Sequence, residues 1–163
     1  MTLDLNMGYY TISLDPDASK ICTIIFPWGK YSYKRLPMEI ASSPDIFQEK
    51  ISDLMSTLEF VQTCLDDLLI ITKGSLEEDL EKLSMVLTRL QDTSLKINAN
   101  KFNFCTLETE YLGYILTGDG IKPQPDKVQA MLALALPRNV KKLSRFLGMV
   151  QYYRLQTVCI SGD

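Results

Sequence analysis

Short apolar runs and longer stretches with helical spacing alternate along the chain. Runs rich in β-branched and aromatic residues at 9–14, 21–26 and 31–36 predict three strands, the last two joined by a turn at 27–30. Apolar residues at helical spacing predict a helix over 44–58, opened by a serine cap at Ser42-Ser43-Pro44. Ser75 and Glu78 predict a capping box that opens a second helix over 76–91.

Residues 60–72 have a different pattern, because two apolar, β-prone arms surround Asp66 and Asp67. This pattern predicts a β-hairpin with both acids at its tip, and a solvated turn is the simpler interpretation. Asp4 is a third acid in an apolar, β-like segment, between Leu3 and Leu5. Three carboxylates in a chain without histidine favour a hard divalent cation such as Mg²⁺.

The last third combines weak strand patterns with basic helices. Short strands are predicted at 96–98 and 102–106, a hairpin over 110–116 and helices near 126–134 and from 140 onward. Between residues 122 and 154 seven basic residues face one acid, Asp126, although the net charge of the whole chain is −3. A phosphate backbone suits such a segment, and an ordinary solvated helix face explains it equally well.

Composition narrows the function classes further. A chain of 163 residues can bury one sizeable core. Without histidine, and with four cysteines far apart, it lacks the ingredients of Cys/His zinc sites and of histidine-dependent nucleophiles. We expect no membrane partner, because no apolar run reaches about 18 residues. The start of the chain lacks a signal-peptide pattern, so we expect an intracellular protein.

Six segments together carry a resemblance to a known family. They are Leu-Asp-Leu-x-x-Gly-Tyr at 3–9, the stretch 26–38, Ser-Pro-x-x-Phe-Gln at 43–48, Cys-Leu-Asp-Asp at 64–67, Glu-Tyr-Leu-Gly at 110–113 and the stretch 143–154. In this order and spacing they resemble the reverse transcriptase domain of gypsy-type long-terminal-repeat retrotransposons. The resemblance runs from about residue 3 to residue 154.

The resemblance implies an α+β polymerase palm, in which an antiparallel sheet of three or four strands carries the acids and is backed by helices. It places the palm at 1–120, with a remnant of the fingers hairpin at about 20–37. A basic, partial helical thumb follows at 121–155, and a frayed tail at 156–163. We expect most of the fingers, and the downstream RNase H segment of a Pol polyprotein, to be missing.

The resemblance also implies roles for single residues. Asp4, Asp66 and Asp67 would be catalytic and would hold two Mg²⁺ or Mn²⁺ ions, with an RNA template, a DNA primer and deoxynucleoside triphosphates as partners. Tyr9 and Met38 would contact the nucleotide together with Leu5, and core packing is the alternative for the first two. The primer-contacting residues would be Cys64, Leu65, Tyr111, Leu112, Gly113 and Tyr114. The residues along the nucleic-acid backbone would be Arg138, Lys141, Lys142 and Arg145.

Two substitutions depart from the family pattern. Glu39 stands where the family has glycine after Leu-Pro-Met, and Cys64 stands where the acidic box has tyrosine. Together with the missing fingers, these departures leave alternatives open beside an active polymerase fragment. One is a non-catalytic palm remnant that binds nucleic acid or a protein partner, and another is a two-metal nuclease that uses the same acids.

Overall fold

The computed structural model describes residues 1–134 and 136–161, with side chains described as far as residue 151. The chain forms two compact units, Met1–Thr106 and Leu107–Asp163. The sequence predicted a boundary near residue 120. The compact units divide at 106/107, where the strands that follow form a sheet of their own. The palm at 1–120 and the thumb at 121–155 stay predictions.

The first unit contains six strands and three α-helices. In chain order they are β1 (Thr2–Asn6), α1 (Pro16–Ile21), β2 (Thr23–Phe26), β3 (Gly29–Ser32), α2 (Ser43–Met55), β4 (Val61–Cys64), β5 (Asp67–Ile70), α3 (Leu76–Asp92) and β6 (Lys96–Ile97). Two 3-10 helices, Gly8–Thr11 and Ala99–Lys101, lie between these elements. Strands β2 and β3 form a separate hairpin.

A four-stranded antiparallel sheet organises this unit, with strand order β4-β5-β1-β6. Strand β1 is therefore an interior strand, paired with β5 on one side and β6 on the other. This sheet and its helices confirm the predicted α+β fold. The strand predicted at 102–106 is reduced to a single bridge between Asn103 and Thr2.

The hydrophobic core lies between one face of the sheet and two helices, the two-layer packing that buries one face of each element. The sheet contributes Leu3, Leu5, Leu68 and Ile70, α2 contributes Phe47, Ile51 and Met55, and α3 contributes Leu83, Val86 and Leu90. Ser75 caps α3, since its hydroxyl accepts the Glu78 N–H as predicted. Ser42 stands at the N-cap of α2 but makes no side-chain capping bond.

The predicted strand at 9–14 is wrong. Met7 adopts a left-handed conformation with φ 54°, and residues Gly8–Thr11 coil into a 3-10 helix. The Thr11 hydroxyl donates to the Gly8 carbonyl at 2.6 Å, which closes that turn. Asp15 instead caps a helix, α1, where its carboxylate accepts the N–H groups of Asp17 and Ala18.

The described residues of the second unit form three strands and two helices: β7 (Glu108–Tyr111), β8 (Tyr114–Thr117), β9 (Gly120–Pro123), α4 (Pro125–Leu132) and α5 (Val140–Ser161). The predicted hairpin is β7–β8, and β9 extends it into a sheet in the order β7-β8-β9. Helix α5 continues to Ser161, through most of the segment predicted to fray. In the described part of the chain, no helix has the length and apolarity needed to cross a membrane.

Candidate active site

The sheet register places Asp4 directly opposite Asp67 on neighbouring strands β1 and β5. Leu3 and Leu68 pack in the core. Because side chains alternate across a strand, the carboxylates of Asp4 and Asp67 both lie on the other face of the sheet. The Asp4 side chain is 22% exposed. Two like charges that face each other across a strand pair destabilise the sheet, so this pair favours a cation between them.

Asp66 lies in the two-residue turn that joins β4 to β5, and Asp67 begins β5. The sequence predicted both acids at the tip of the hairpin. The tip instead consists of Leu65 and Asp66, and Asp67 is the first residue of β5. Leu65 has φ 51°, a left-handed conformation that costs a non-glycine residue free energy and is common at functional sites. The Leu5 N–H donates to the Asp66 carbonyl at 2.7 Å and joins the turn to β1.

Gln48 of α2 holds this turn in place. Its side-chain oxygen accepts the Leu65 N–H at 2.7 Å. Its amide nitrogen donates to the Thr63 carbonyl and hydroxyl, both at 3.2 Å. The helix therefore fixes both the strand and the turn that present Asp66. The sequence pattern contained Gln48 but assigned it no role, because these contacts depend on how α2 packs against the hairpin.

We expect Gln48→Ala to lower the unfolding free energy by about 1–2 kcal/mol, since the side chain makes several hydrogen bonds to the turn. Gln48→Glu keeps the acceptor for Leu65 and loses the amide donor, so an intermediate loss is expected. Urea unfolding measures both changes. Gln91→Ala, at an exposed position of α3, is the matched control and should stay within about 0.5 kcal/mol of the parent. Equal losses at both positions would contradict this role for Gln48.

Gly8, at the start of the 3-10 helix, lies very close to Phe47 of α2 and to Asp66. A β-carbon built at Gly8 would lie 2.4 Å from Cζ of Phe47 and 3.3 Å from Oδ1 of Asp66. The Phe47 ring is 1% exposed and stacks on Tyr9, with ring centroids 4.6 Å apart. A glycine at this position therefore lets the carboxylate of Asp66 and the core aromatic rings share one small space.

Burial and mutual repulsion raise the pKa values of two acids of the site. Burial raises the pKa of Asp66 above its usual range, and the charges of Asp4 and Asp67 raise it further. Burial also raises the pKa of Asp67, with a further contribution from Asp4. Oδ1 of Asp66 is buried and has no hydrogen-bond partner among the residues that the structure describes. A buried carboxylate oxygen without a partner argues against the solvated-turn interpretation, because unpaired burial is costly.

A lysine that the sequence analysis missed provides the local counter-charge. Nζ of Lys101, in the 3-10 helix that follows β6, lies 2.8 Å from Oδ2 of Asp4. This contact raises the pKa of Lys101, and its positive charge lowers the pKa values of Asp66 and Asp67 in part. No local pattern signals this pair, because the two residues are 97 positions apart in the sequence.

The donor set suits a hard divalent cation, because it consists of carboxylate oxygens, and one of them is buried with no hydrogen-bond partner in the described residues. Among the described residues, however, no three acidic or cysteine side chains are already grouped so that they could hold one ion. One oxygen of the Asp4 carboxylate, Oδ2, already accepts a hydrogen bond from Lys101. Asp4, Asp66 and Asp67 would therefore have to come closer together to hold one ion in common.

We expect Asp66→Asn to raise the unfolding free energy at neutral pH by up to about 1 kcal/mol, the upper end for partly solvated charges. The folded-state pKa lies above the ordinary value of 3.8. Stability is therefore lost as the pH rises through the raised pKa, and the cost is absent below 3.8, where the carboxyl is protonated in both states. Urea unfolding of parent and variant at neutral pH and at a pH below 3.8 measures this difference in stability. A gain in unfolding free energy that persists at the acidic pH would contradict this cause.

The predicted nucleotide-binding residues lie in different surroundings. Leu5 is 3% exposed with its side chain in the core, and its backbone N–H donates to the Asp66 carbonyl; its contact with a nucleotide stays a prediction. Tyr9 is also buried, as in the packing alternative, and burial together with the charge of Asp66 raises its pKa. Met38 is 43% exposed. Contacts of Tyr9 and Met38 with a nucleotide stay predictions.

The primer-contacting candidates divide between the two units. Cys64 ends β4 and Leu65 lies in the turn of the first unit. The segment 111–114 forms the turn of the β7–β8 hairpin in the second unit, where Tyr111 pairs with Tyr114, and Leu112 and Gly113 both have positive φ.

The predicted backbone-binding residues belong to the second unit and are all exposed. Arg138 precedes α5, and Lys141, Lys142 and Arg145 lie on its first turns. The side chains of Tyr152, Tyr153 and Arg154, which complete the last motif, lie outside the described residues, as do residues 162 and 163. The described cations form an exposed basic segment at the start of α5.

A protein-family comparison identifies the class to which this fold and acidic site belong. Residues 1–116 match the family described as reverse transcriptase (RNA-dependent DNA polymerase). The match covers well over half of the chain and includes β1, the β4–β5 hairpin, β7 and most of β8. The chain belongs to the reverse transcriptase family.

The relatives narrow this family to retrotransposon Pol polyproteins. The chain is 36% identical over 157 residues to the retrovirus-related Pol polyprotein from transposon opus of Drosophila melanogaster, and 34% identical over 155 residues to that from transposon 297. It is 31% identical over 157 residues to that from transposon gypsy, which confirms the gypsy-type resemblance. These alignments cover 94% of this chain and only 14–15% of the polyproteins.

Solved structures confirm the fold. A foamy viral protease-reverse transcriptase in complex with dsDNA matches with a TM-score of 0.81 at 22% identity, covering 93% of this chain and 32% of that chain. A second structure of the foamy viral protein, also with double-stranded DNA, matches with a TM-score of 0.84 at 21% identity, covering 98% and 30%. This likeness confirms the predicted α+β fold of a polymerase fragment.

Proposed function

We propose that this chain carries the palm of an RNA-directed DNA polymerase, which joins a deoxynucleotide to a primer 3′-hydroxyl on an RNA template. The observation that carries the proposal is the acidic site of a reverse transcriptase family member. Asp4 faces Asp67 across β1 and β5, and Asp66 stands in the adjoining turn. Clustered carboxylates of this kind suit nucleotidyl transfer assisted by divalent cations.

Asp4, Asp66 and Asp67 would hold two Mg²⁺ or Mn²⁺ ions. Reverse transcriptases generally use divalent metal ions, and such ions lower the pKa of an attacking hydroxyl and neutralise phosphate charge. The chain itself supplies three things: a rigid strand pair for Asp4 and Asp67, a turn braced by Gln48 for Asp66, and the Lys101 counter-charge that stabilises Asp4. These features keep the repelling acids together before any ligand arrives.

The nucleic-acid partner would be a primer–template duplex. The foamy viral structures that share this fold are described in complex with dsDNA and with an RNA/DNA hybrid. In this chain, exposed Arg138, Lys141, Lys142 and Arg145 would contact phosphates without reading sequence. The turn at 111–114 would contact the primer, and deoxynucleoside triphosphates would be the second substrate.

Primer extension on an RNA template tests the proposal directly. A labelled DNA primer should lengthen with all four deoxynucleoside triphosphates and Mg²⁺ or Mn²⁺, and chelation of the metal should abolish the products. Because the chain spans only 14% of the transposon 297 polyprotein, the assay includes a fusion to the segment that precedes the matched region there. Shortening of the labelled strand would indicate the nuclease alternative, and no product from either protein would contradict the polymerase.

A further inference from the structure

We propose that helix α3 of one copy of this chain binds the groove between α4 and α5 of a second copy. Such self-association is separate from the proposed polymerase function and does not depend on it. Two exposed apolar surfaces carry the proposal, because acids flank the surface on α3 and cations border the groove.

Leucines line an exposed face of α3, beside the face that packs in the core. Leu76 is 57% exposed, Leu80 49% and Leu87 38%. They are four and then seven residues apart, so they form one row along the helix, which we call the leucine stripe. Apolar residues at these spacings are the anchors with which a helix binds a groove on a partner.

One flank of the leucine stripe is acidic. Glu77 follows Leu76 and Glu81 follows Leu80, so the two glutamates lie four residues apart on the same flank. Both glutamates are exposed. Neither takes part in an ion pair within the described part of the chain. The stripe therefore presents an apolar row together with two acids that are open to a cationic partner.

A groove in the second unit has the complementary character. Two adjoining cavities of about 620 and 420 Å³ lie between α4 and α5 and share Leu134, Arg145 and Met149. The floor is apolar, and its half-buried methionines, Met131 and Met149, can adapt their shape to a partner. We define the α4–α5 groove by six of its lining residues: Lys127, Met131, Leu134, Lys142, Arg145 and Met149.

Cations border the α4–α5 groove. Lys127, Lys142 and Arg145 are exposed, and among the described residues no acid lines either cavity. None of the three forms an ion pair with another described residue. An apolar floor bordered by such cations suits an apolar row flanked by acids, because opposite charges orient two surfaces and disfavour like-charged partners.

The leucine stripe of a second copy matches this groove in spacing, apolarity and charge. Leu80 and Leu87 are seven residues apart, about 10 Å along the helix axis. Lys142 and Met149 of the groove have the same separation along α5. A nucleic-acid backbone would pair with the cations but would leave the apolar floor without a partner. We therefore assign the groove to a second copy of the chain.

Two charge-reversed proteins test this contact. The stripe protein carries Glu77→Lys with Glu81→Lys, and the groove protein carries Lys127→Glu with Arg145→Glu. Sedimentation equilibrium without metal or nucleic acid measures the dissociation constant for self-association. The parent should self-associate as its concentration rises, and each reversed protein should do so at least about 10-fold more weakly, because like charges then face each other.

Mixing the two reversed proteins gives the sharpest result. An equimolar mixture should recover association to within about 10-fold of the parent, since the reversed charges then complement each other between copies. Higher salt should weaken association of the parent, because salt screens charges at exposed surfaces. Circular dichroism checks the folding of each protein. Glu81→Lys alone, which lies beyond the first turn of α3, replaces the stripe protein if the double variant unfolds.

The matched control is Glu49→Lys with Glu59→Lys. Both glutamates are exposed and lie outside α3, and the pair changes the net charge as much as the stripe protein does. Its dissociation constant should stay within about 2-fold of the parent, as expected for surface substitutions away from the contact.

Several outcomes would overturn the proposal. They are a parent that stays a single chain at every concentration, equal weakening by the control pair, and a mixture of folded reversed proteins that does not associate. Self-association of the parent only after nucleic acid is added would instead assign the groove to that ligand. None of the measurements on the protein alone requires metal or catalysis, so self-association and the polymerase proposal can fail separately.

Discussion

Asp66→Asn should reduce template-directed primer extension by about 10²-fold or more, the scale on which loss of one preorganised electrostatic contact acts. Asparagine keeps the shape of the side chain and removes the charge, so the turn stays in place. The buried Oδ1 of Asp66, which has no hydrogen-bond partner in the described part of the chain, is the atom best placed to receive a cation. Single-turnover extension rates, measured at saturating metal, give the size of the loss.

The matched control for this prediction is Asp92→Asn, at an exposed position at the end of α3. It changes the net charge equally and should leave the extension rate within about 2-fold of the parent. Because Asp66→Asn should also gain stability at neutral pH, loss of activity cannot be attributed to unfolding. If the Asp66→Asn protein is folded and still extends primers at half the parent rate, Asp66 is not an active-site residue.

Gly8→Ala should lower the unfolding free energy by about 1–3 kcal/mol, the usual cost of forcing an extra methyl group into a packed core. The new methyl would meet Cζ and Cε2 of Phe47 at 2.4 and 2.8 Å. That ring cannot swing into solvent, since it is 1% exposed and stacked on Tyr9. Urea unfolding measures the loss, and we expect activity to fall as well because the turn holding Asp66 must shift.

Two further variants test the cause of that loss. Phe47→Leu removes the ring atoms that clash, so Gly8→Ala should cost less in the Phe47→Leu background than in the parent, a coupling that a double-mutant cycle measures. Gly118→Ala is the control, because a β-carbon there has no atom within 4 Å. If Gly8→Ala and Gly118→Ala destabilise equally, the close approach at Gly8 is not the cause.

Local patterns predicted most elements of the first unit. The Ser75 cap and the leucine spacing placed α3 within a residue of its observed ends, because a capping box and one apolar face are both encoded within one segment. The hairpin at 61–70 was likewise predicted from its apolar arms and the acids between them. The prediction failed at 9–14, where the left-handed Met7 and a side-chain bond from Thr11 override the strand propensity of the aromatic residues.

Local sequence patterns predicted some residues of the candidate site and not others. Asp66 and Asp67 could be found because a pair of acids in an apolar segment is unusual, and Asp4 because it follows the same rule. Lys101 and Gln48 could not, because each acts on a residue from another element and neither stands in an unusual local context. The inward orientation of Leu5 also depends on the observed register with β5 and β6.

The interior position of β1 has a consequence for how the protein folds. Asp4 pairs with Asp67, Leu5 pairs with Ile97, and Thr2 bonds Asn103 across 101 positions. Such non-local pairings require closure of long loops before they stabilise anything, which slows folding. Strand β1 can therefore complete its pairing only when residues as far along the chain as Asn103 are available, so Asp4 and Asp67 are brought together by a slow, non-local step of folding.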